Sequence, residues 1–185
     1  MAQSAKRFRY YRFNRMNHYK EKHILALDVR HSRIGYALFS GSKHLLDWGA
    51  STVPPQCNDR THWIRQRITP LLRYGSLSAI VTKQRRRAKL PMNANGEPIL
   101  EAIRSAAEEY GIPVHVLGRD EIQSAFRIFQ ASTKDDIACV LVGIFPELLI
   151  RLPPKRKKWQ PEPHRMVIFD AIATGFAYWR RPPLE

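Results

Sequence analysis

Two aspartates in this chain stand in apolar surroundings, where a carboxylate needs a partner. Asp28 lies near the end of the apolar stretch 24–29, and Asp170 lies within the apolar segment 166–176. An unpaired buried carboxylate costs several kcal/mol, so each requires a cation or hydrogen-bond donors. Carboxylate oxygens are ligands that Mg²⁺ prefers, and two such ions about 4 Å apart hydrolyse phosphodiesters. The pair predicts a metal site; the alternatives are an Asx-turn at Asp28 and an ion pair between Asp170 and an arginine.

The charge of the chain indicates a polyanionic partner. Among its 185 residues, 31 Lys and Arg oppose 16 Asp and Glu, which gives a net charge of +15. Self-repulsion at such a charge opposes compaction, and a nucleic acid is the simplest partner that relieves it. The apolar fraction of 44% is typical of a folded globular domain rather than a disordered chain.

Basic residues are concentrated in three clusters and in the turn after Asp28. The turn residues would hold the phosphate on which a metal acts, although arginines there would equally pair with Asp28 in a protein that binds without cleaving. None of the clusters contains a base-reading pattern, so we expect recognition of structure rather than sequence, the alternative being a solvated surface. The candidate nucleic-acid-binding residues are Arg30, His31 and Arg33 in the turn, Arg85, Arg86, Arg87 and Lys89 in the basic stretch 83–89, Lys155, Arg156, Lys157, Lys158 and Trp159 in a Pro-rich loop, and Arg7, Arg9 and Arg12 near the N-terminus.

The N-terminal segment 1–22 interleaves basic residues with Phe and Tyr. Such an arm can neutralise phosphates while its rings stack on bases. The alternative is a solubilising tail whose rings pack on the domain.

Several protein classes are disfavoured. Cys57 and Cys139 are isolated, which predicts reduced thiols in a reducing compartment rather than a zinc site. No apolar run approaches about 18 residues, so no membrane-spanning helix is expected. We therefore expect a cytoplasmic protein with no membrane partner.

The pattern of apolar residues and breakers predicts an α/β domain. A meander of three antiparallel strands is followed by alternating helices and strands, which indicates parallel pairing with crossover helices. The result is a mixed five-stranded sheet, three antiparallel and then two parallel strands, flanked by helices. The predicted strands are 24–29, 33–40, 43–52, 77–83 and 112–118, and the predicted helices are 59–74, 96–111, 121–129, 133–149 and 165–181. We assign 1–22 to the arm and 23–182 to the domain, which contains the basic Pro-rich loop 153–164.

This order of elements, with three short motifs, resembles the ribonuclease H-like superfamily and within it the RuvC and YqgF (RuvX) nucleases. "ILALDVRHSRIGYAL" is similar to their first hairpin, with Gly35 as the early glycine of the second strand. "YGIPVHVLGRDEIQS" is similar to a YqgF segment, where Asp120 and Glu121 match and Ile122 replaces an arginine. "FDAIATGFAYW" resembles the closing helix of both families, with Asp170 as their C-terminal aspartate.

The resemblance implies a Mg²⁺- or Mn²⁺-dependent endonuclease that cleaves branched DNA or structured RNA, as Holliday junction resolvases or rRNA-processing nucleases do. Asp28 and Asp170 would hold the metal, with Glu121 or Asp120 completing its shell or positioning the water. RuvC enzymes act as dimers, so the resemblance also implies a homodimer. A third possibility, an actin-like phosphotransferase, lacks the glycine-rich phosphate loop that it requires.

Two of the four acidic positions of the RuvC motif carry other residues. The fourth strand ends on Lys83 or Thr82 instead of glutamate, and Val167 replaces an acid of the closing helix. With Glu121 counted, the site has three negative charges, and Lys83 would cancel one to leave −2, which balances one Mg²⁺. We therefore expect either a one-metal site in which Lys83 replaces the second ion or a catalytically inactive nucleic-acid-binding protein; alternatively, Lys83 extends to solvent.

Overall fold

A computed structural model of the chain describes residues 22–73, 76–84, 97–155 and 159–181. No helix in these ranges is long and apolar enough to cross a membrane. Several candidate nucleic-acid-binding residues lie outside the described residues: Arg7, Arg9, Arg12, Arg85, Arg86, Arg87, Lys89, Arg156, Lys157 and Lys158.

The strands form one five-stranded sheet. They are β1 (His23–Val29), β2 (Arg33–Ser40), β3 (His44–Thr52), β4 (Leu77–Lys83) and β5 (Val114–Leu117), in the order β3-β2-β1-β4-β5. The pairs β1–β2 and β2–β3 are antiparallel, whereas β1–β4 and β4–β5 are parallel. The predicted mixed sheet of three antiparallel and two parallel strands is therefore confirmed.

Five α-helices and two short 3₁₀ helices surround the sheet. The α-helices are α1 (Arg60–Leu72), α2 (Glu97–Glu108), α3 (Arg119–Ser124), α4 (Lys134–Ile144) and α5 (Met166–Trp179), and the 3₁₀ helices are Arg127–Phe129 and Pro146–Arg151. The predicted helix 133–149 is wrong beyond Ile144, because a residue before proline disfavours the helical conformation and Phe145 leaves it before Pro146. The predicted helix 121–129 is also wrong in its bounds, since α3 begins at Arg119 and gives way to a 3₁₀ turn.

The sheet separates two apolar cores because successive strand side chains point to opposite faces. Leu25, Leu27 and Val29 of β1 pack with the residues of α1 and α2. Ile24 and Ala26 of the same strand pack with the residues of α4 and α5. By this alternation Asp28 belongs to the α5 face of the sheet.

Two glycines allow α5 to lie directly on the sheet. A Cβ built on Gly35 of β2 would lie well inside 3.0 Å of the carbonyl of Val167, and one on Gly175 of α5 would meet the ring of Phe39 equally closely. Gly35 is the register partner of Asp28. The close approach therefore brings the first turns of α5 over the end of β1, where Asp170 lies.

Candidate nucleic-acid interface at the strand ends

Each of the parallel strands β1 and β4 carries a charged residue at or next to its C-terminal end. Asp28 continues the α5-facing row of β1, and Lys83 follows Ala79 and Val81 on the same face of β4. The register pairs Leu27 with Thr82, one residue before each charge. Parallel strand ends are where open α/β sheets place their sites, and here an acid and a base lie there together.

The guanidinium of Arg30 contacts three carboxylates. Its Nε donates to Asp28 Oδ2 at 2.7 Å, its Nη1 donates to Glu162 and its Nη2 donates to Asp170. Burial by itself would lower the pKa of Arg30, but the carboxylates of Asp28 and Glu162 outweigh burial and raise that pKa. The two aspartates do meet, and the group between them is an arginine side chain.

A second cation comes from the first residue of α4. Lys134 Nζ lies 2.9 Å from Asp170 Oδ2 and 3.0 Å from Glu162 Oε2. Thr133 and Asp136 form a capping box that starts α4 and so fixes the position of Lys134. Burial lowers the pKa of Lys134, and the nearby Arg30 lowers it further.

Lys83 adds a third cation to the same region. Burial lowers the pKa of this lysine, Asp28 opposes that shift, and the positive charges of Lys134, Arg30 and Arg119 reinforce it. Arg119 itself is exposed, at the start of α3. Lys83 is thus half-buried at the end of β4, close enough to these charged groups for their fields to act on it.

These side chains form what we call the strand-end cluster, which carries three acids and three bases. Its formal charge is zero, whereas the sequence led us to expect −2 for a site of Asp28, Asp170, Glu121 and Lys83. The two sums differ because the contacts of the aspartates bring in Arg30, Lys134 and Glu162, which the expected sum did not include. The members are Asp28, Glu162 and Asp170 with Arg30, Lys83 and Lys134.

Two members of the cluster were missed at the level of sequence. Glu162 lies far along the chain in an irregular segment between Pro161 and Pro163, and it is the one acid in the basic stretch 151–165. Lys134 stands at a helix start, where the helix dipole disfavours a positive charge. Both anomalies are visible in the sequence, but neither indicates which residues the side chain contacts.

Glu121 has other partners. Its Oε2 accepts a hydrogen bond from the backbone N–H of Gly118 at 2.5 Å, and its Oε1 pairs with Arg181. The Gly118 bond and then the Arg181 charge lower the pKa of Glu121 despite slight burial. Asp120 is exposed in the first turn of α3. The contacts of Glu121 are those of a helix cap, and its role as a metal ligand stays a prediction, as does that of Asp120.

The turn after β1 is held by Arg60, at the start of α1. Its Nη2 donates to the carbonyl of Arg30 at 2.9 Å, and its Nη1 lies 3.3 Å from Nδ1 of His31. His31 is exposed, whereas Arg33 is half-buried and its Nη1 has no hydrogen-bond partner among the described residues. Arg60 thus fixes the backbone from which Arg30 reaches the carboxylates.

The described ends of the Pro-rich loop are on the surface. Trp159 is 77% exposed, and Lys155 is exposed near Asp136 of α4, whose pKa its charge helps to lower after the Thr133 hydrogen bonds. Lys155 therefore lies near the first turn of α4.

The strand-end cluster does not fit a two-metal centre. Both aspartates are already neutralised by Arg30 and Lys134, and unit charges about 4 Å apart interact by about 4 kcal/mol at an effective dielectric constant of about 20. A dication at that distance from one of these cations would be repelled by about 8 kcal/mol, twice the value for two unit charges. Within the described ranges, no three His, Cys, Asp or Glu side chains are grouped so that they could hold a metal ion.

Comparison with known proteins shows the fold. No protein-family model matches the chain, and no curated protein matches its sequence. Thermus thermophilus RuvC in complex with a Holliday junction substrate superposes with a TM-score of 0.62 at 20% identity, over 84% of this chain and 91% of that chain. Another Thermus thermophilus RuvC structure superposes with a TM-score of 0.62 at 19% identity, over 84% of this chain and 92% of that chain. The fowlpox virus Holliday junction resolvase is more remote, with a TM-score of 0.48 at 13% identity, over 85% and 97%. The chain thus has the RuvC-like ribonuclease H fold.

Proposed function

We propose that this chain is a nucleic-acid-binding protein with a RuvC-like fold that binds branched DNA or structured RNA at the strand ends without two-metal cleavage. The observation that carries the proposal is the position of Arg30, whose guanidinium bridges Asp28 and Asp170. In this arrangement the carboxylates orient cations, and the cations bind phosphate. The charges agree with this reading, since the strand-end cluster is formally neutral before any ion or ligand enters.

The charge of the protein supports a nucleic acid as the partner. The net charge is +15, and Arg119, Lys155 and His31 are exposed on segments that adjoin the cluster. Trp159 offers an exposed ring for stacking. The fold match to a RuvC protein whose structure contains a Holliday junction substrate supports branched DNA as the first ligand to test.

A metal-dependent endonuclease is the second candidate, and one observation favours it. Three carboxylates, those of Asp28, Glu162 and Asp170, converge on a single guanidinium. If Arg30 left this position, the three would be free to hold Mg²⁺ or Mn²⁺, which would supply Lewis-acid activation of water and phosphate. A homodimer, as in RuvC enzymes, would place two such sites on one junction.

A binding and cleavage assay separates the two candidates. A labelled four-way junction, a linear duplex of the same strands and a structured RNA are titrated with protein while anisotropy is measured at about 50 mM and about 200 mM salt. The same mixtures are incubated with Mg²⁺, Mn²⁺ or EDTA and resolved on denaturing gels. We expect salt-dependent binding that persists in EDTA, without products.

Three variants complete the assay. Asp28→Asn and Asp170→Asn change the cluster, and Glu101→Gln is the control, because it removes an exposed carboxylate on α2 outside every predicted site. Metal-dependent products that disappear in the first two variants but not in the control would establish the endonuclease. Absence of binding to all three nucleic acids would contradict the proposal itself.

A further inference from the structure

Glu162 occupies a position that two cations from separate elements create. Its carboxylate accepts from Arg30 Nη1, and its two oxygens lie 3.0 and 3.3 Å from Lys134 Nζ. Arg30 follows β1, Lys134 begins α4, and Glu162 lies in the irregular segment before α5. The residue is half-buried, yet Arg30 and Lys134 outweigh burial and lower its pKa.

Arg30 and Lys134 would remain in place if Glu162 moved away. Arg30 is still anchored by Nε to Asp28 and by Nη2 to Asp170, and Lys134 is still 2.9 Å from Asp170. The Nη1 of Arg30 and one or two protons of Lys134 would then be free. A guanidinium and an ammonium offering parallel donors to two oxygens form a favourable site for a phosphate group.

We propose that Arg30 and Lys134 form a phosphate-binding site and that Glu162 is its built-in occupant, which a backbone phosphate of the nucleic acid displaces. The inference rests on the proposed function for the identity of the ligand. Asp28 and Asp170 act in it as positioning residues, since they orient the two cations.

The charges of the strand-end cluster balance for this exchange. With Glu162 in place, three acids face three bases and the sum is zero. Without Glu162 the sum is +1, and one phosphodiester, which carries a single negative charge, restores zero. The exchange therefore replaces one anion by another of equal charge, and the formal charge of the cluster stays at zero.

Removal of the competing carboxylate tests the inference. Glu162→Gln keeps the size of the side chain and removes its charge, and Glu162→Ala removes the side chain as a second variant. Glu101→Gln is the matched control, because Glu101 is exposed on α2, on the opposite face of the sheet. Charges separated by more than a Debye length of about 8–10 Å are largely screened, so the control has little effect on the site.

Two measurements are made on each variant. In the first, thermal unfolding is followed with and without inorganic pyrophosphate, a probe that needs no nucleic acid. We expect pyrophosphate to raise the Tm of both Glu162 variants more than that of the wild type or of Glu101→Gln. In the second, the affinity for the four-way junction is measured, and we expect Glu162→Gln to bind about tenfold tighter than Glu101→Gln, which corresponds to about 1.4 kcal/mol.

A further substitution ties the effect to the site. Adding Lys134→Met to Glu162→Gln should abolish both the extra pyrophosphate stabilisation and the gain in affinity. Equal behaviour of Glu162→Gln and Glu101→Gln in both measurements would overturn the inference. Selective pyrophosphate stabilisation without binding to the junction, the duplex or the structured RNA would support the phosphate site and overturn the proposed function alone.

Discussion

Arg30→Met is the substitution that most directly tests the charge arrangement of the strand-end cluster. It preserves most of the side-chain volume and leaves the carboxylates of Asp28, Glu162 and Asp170 without their shared partner. Removing one member of a buried ion pair costs about 3–5 kcal/mol, because the remaining charge is uncompensated. Arg30 keeps 22% of its side chain exposed, so water screens part of this cost and we expect a loss of about 3 kcal/mol.

The loss of stability caused by Arg30→Met should depend on pH. Arg30 helps to lower the pKa of Glu162, so in the variant this carboxylate takes up a proton at a higher pH than in the wild type, which removes part of the uncompensated charge. The difference in unfolding free energy between the two proteins should therefore be large at about pH 7 and clearly smaller at about pH 4.5. Urea unfolding at both pH values, followed by circular dichroism, measures it.

Arg65→Met is the matched control. Arg65 pairs with Glu109 on the surface, where the two side chains are 39% and 53% exposed, and such a pair contributes about 1 kcal/mol or less. If Arg30→Met cost no more than Arg65→Met, or if its cost were the same at both pH values, the argument that Arg30 compensates the carboxylates would be refuted.

Three further predictions follow from the same geometry. Gly35→Ala places a Cβ against the carbonyl of Val167 and should lower the free energy of unfolding by about 1–3 kcal/mol, measured with urea. The control is Gly143→Ala in α4, where a Cβ meets nothing within 4 Å, and it should not lower the free energy of unfolding. Equal effects of the two substitutions would contradict the close approach of α5 to the sheet. Mn²⁺ should raise the Tm of Arg30→Met but not of the wild type, because removal of the guanidinium frees the carboxylates, and a larger shift in the wild type would argue against the cation-filled site. Arg30 and Lys134 lower the pKa of Glu162 from its ordinary 4.5, so the contribution of Glu162 to stability is complete above that value and is lost as pH falls through the lowered pKa. In Glu162→Gln the free energy of unfolding, measured with urea, should therefore fall less steeply with pH in this acid range. An unchanged dependence on pH would contradict the ion pairs.

Local pattern was sufficient for the architecture. The short apolar runs at 24–29 and 77–83 have a local physical cause, and the structure has a strand at each of them. The errors fell on helix ends. Helix termini depend on a proline and on 3₁₀ turns that tertiary packing selects, so periodicity alone overextended α4.

The sequence by itself determined that Asp28 would end a central strand, that Asp170 would lie on an apolar closing helix and that the protein would attract polyanions. It left two partners open for these aspartates, a metal ion or an arginine. Only the tertiary structure decided between them in this arrangement, by placing Arg30 and Lys134 between the carboxylates and by bringing Glu162 to the same point. The physical reason is that an ion pair depends on distances between side chains from separate elements, and those distances follow from how α4, α5 and the loop before α5 pack on the sheet.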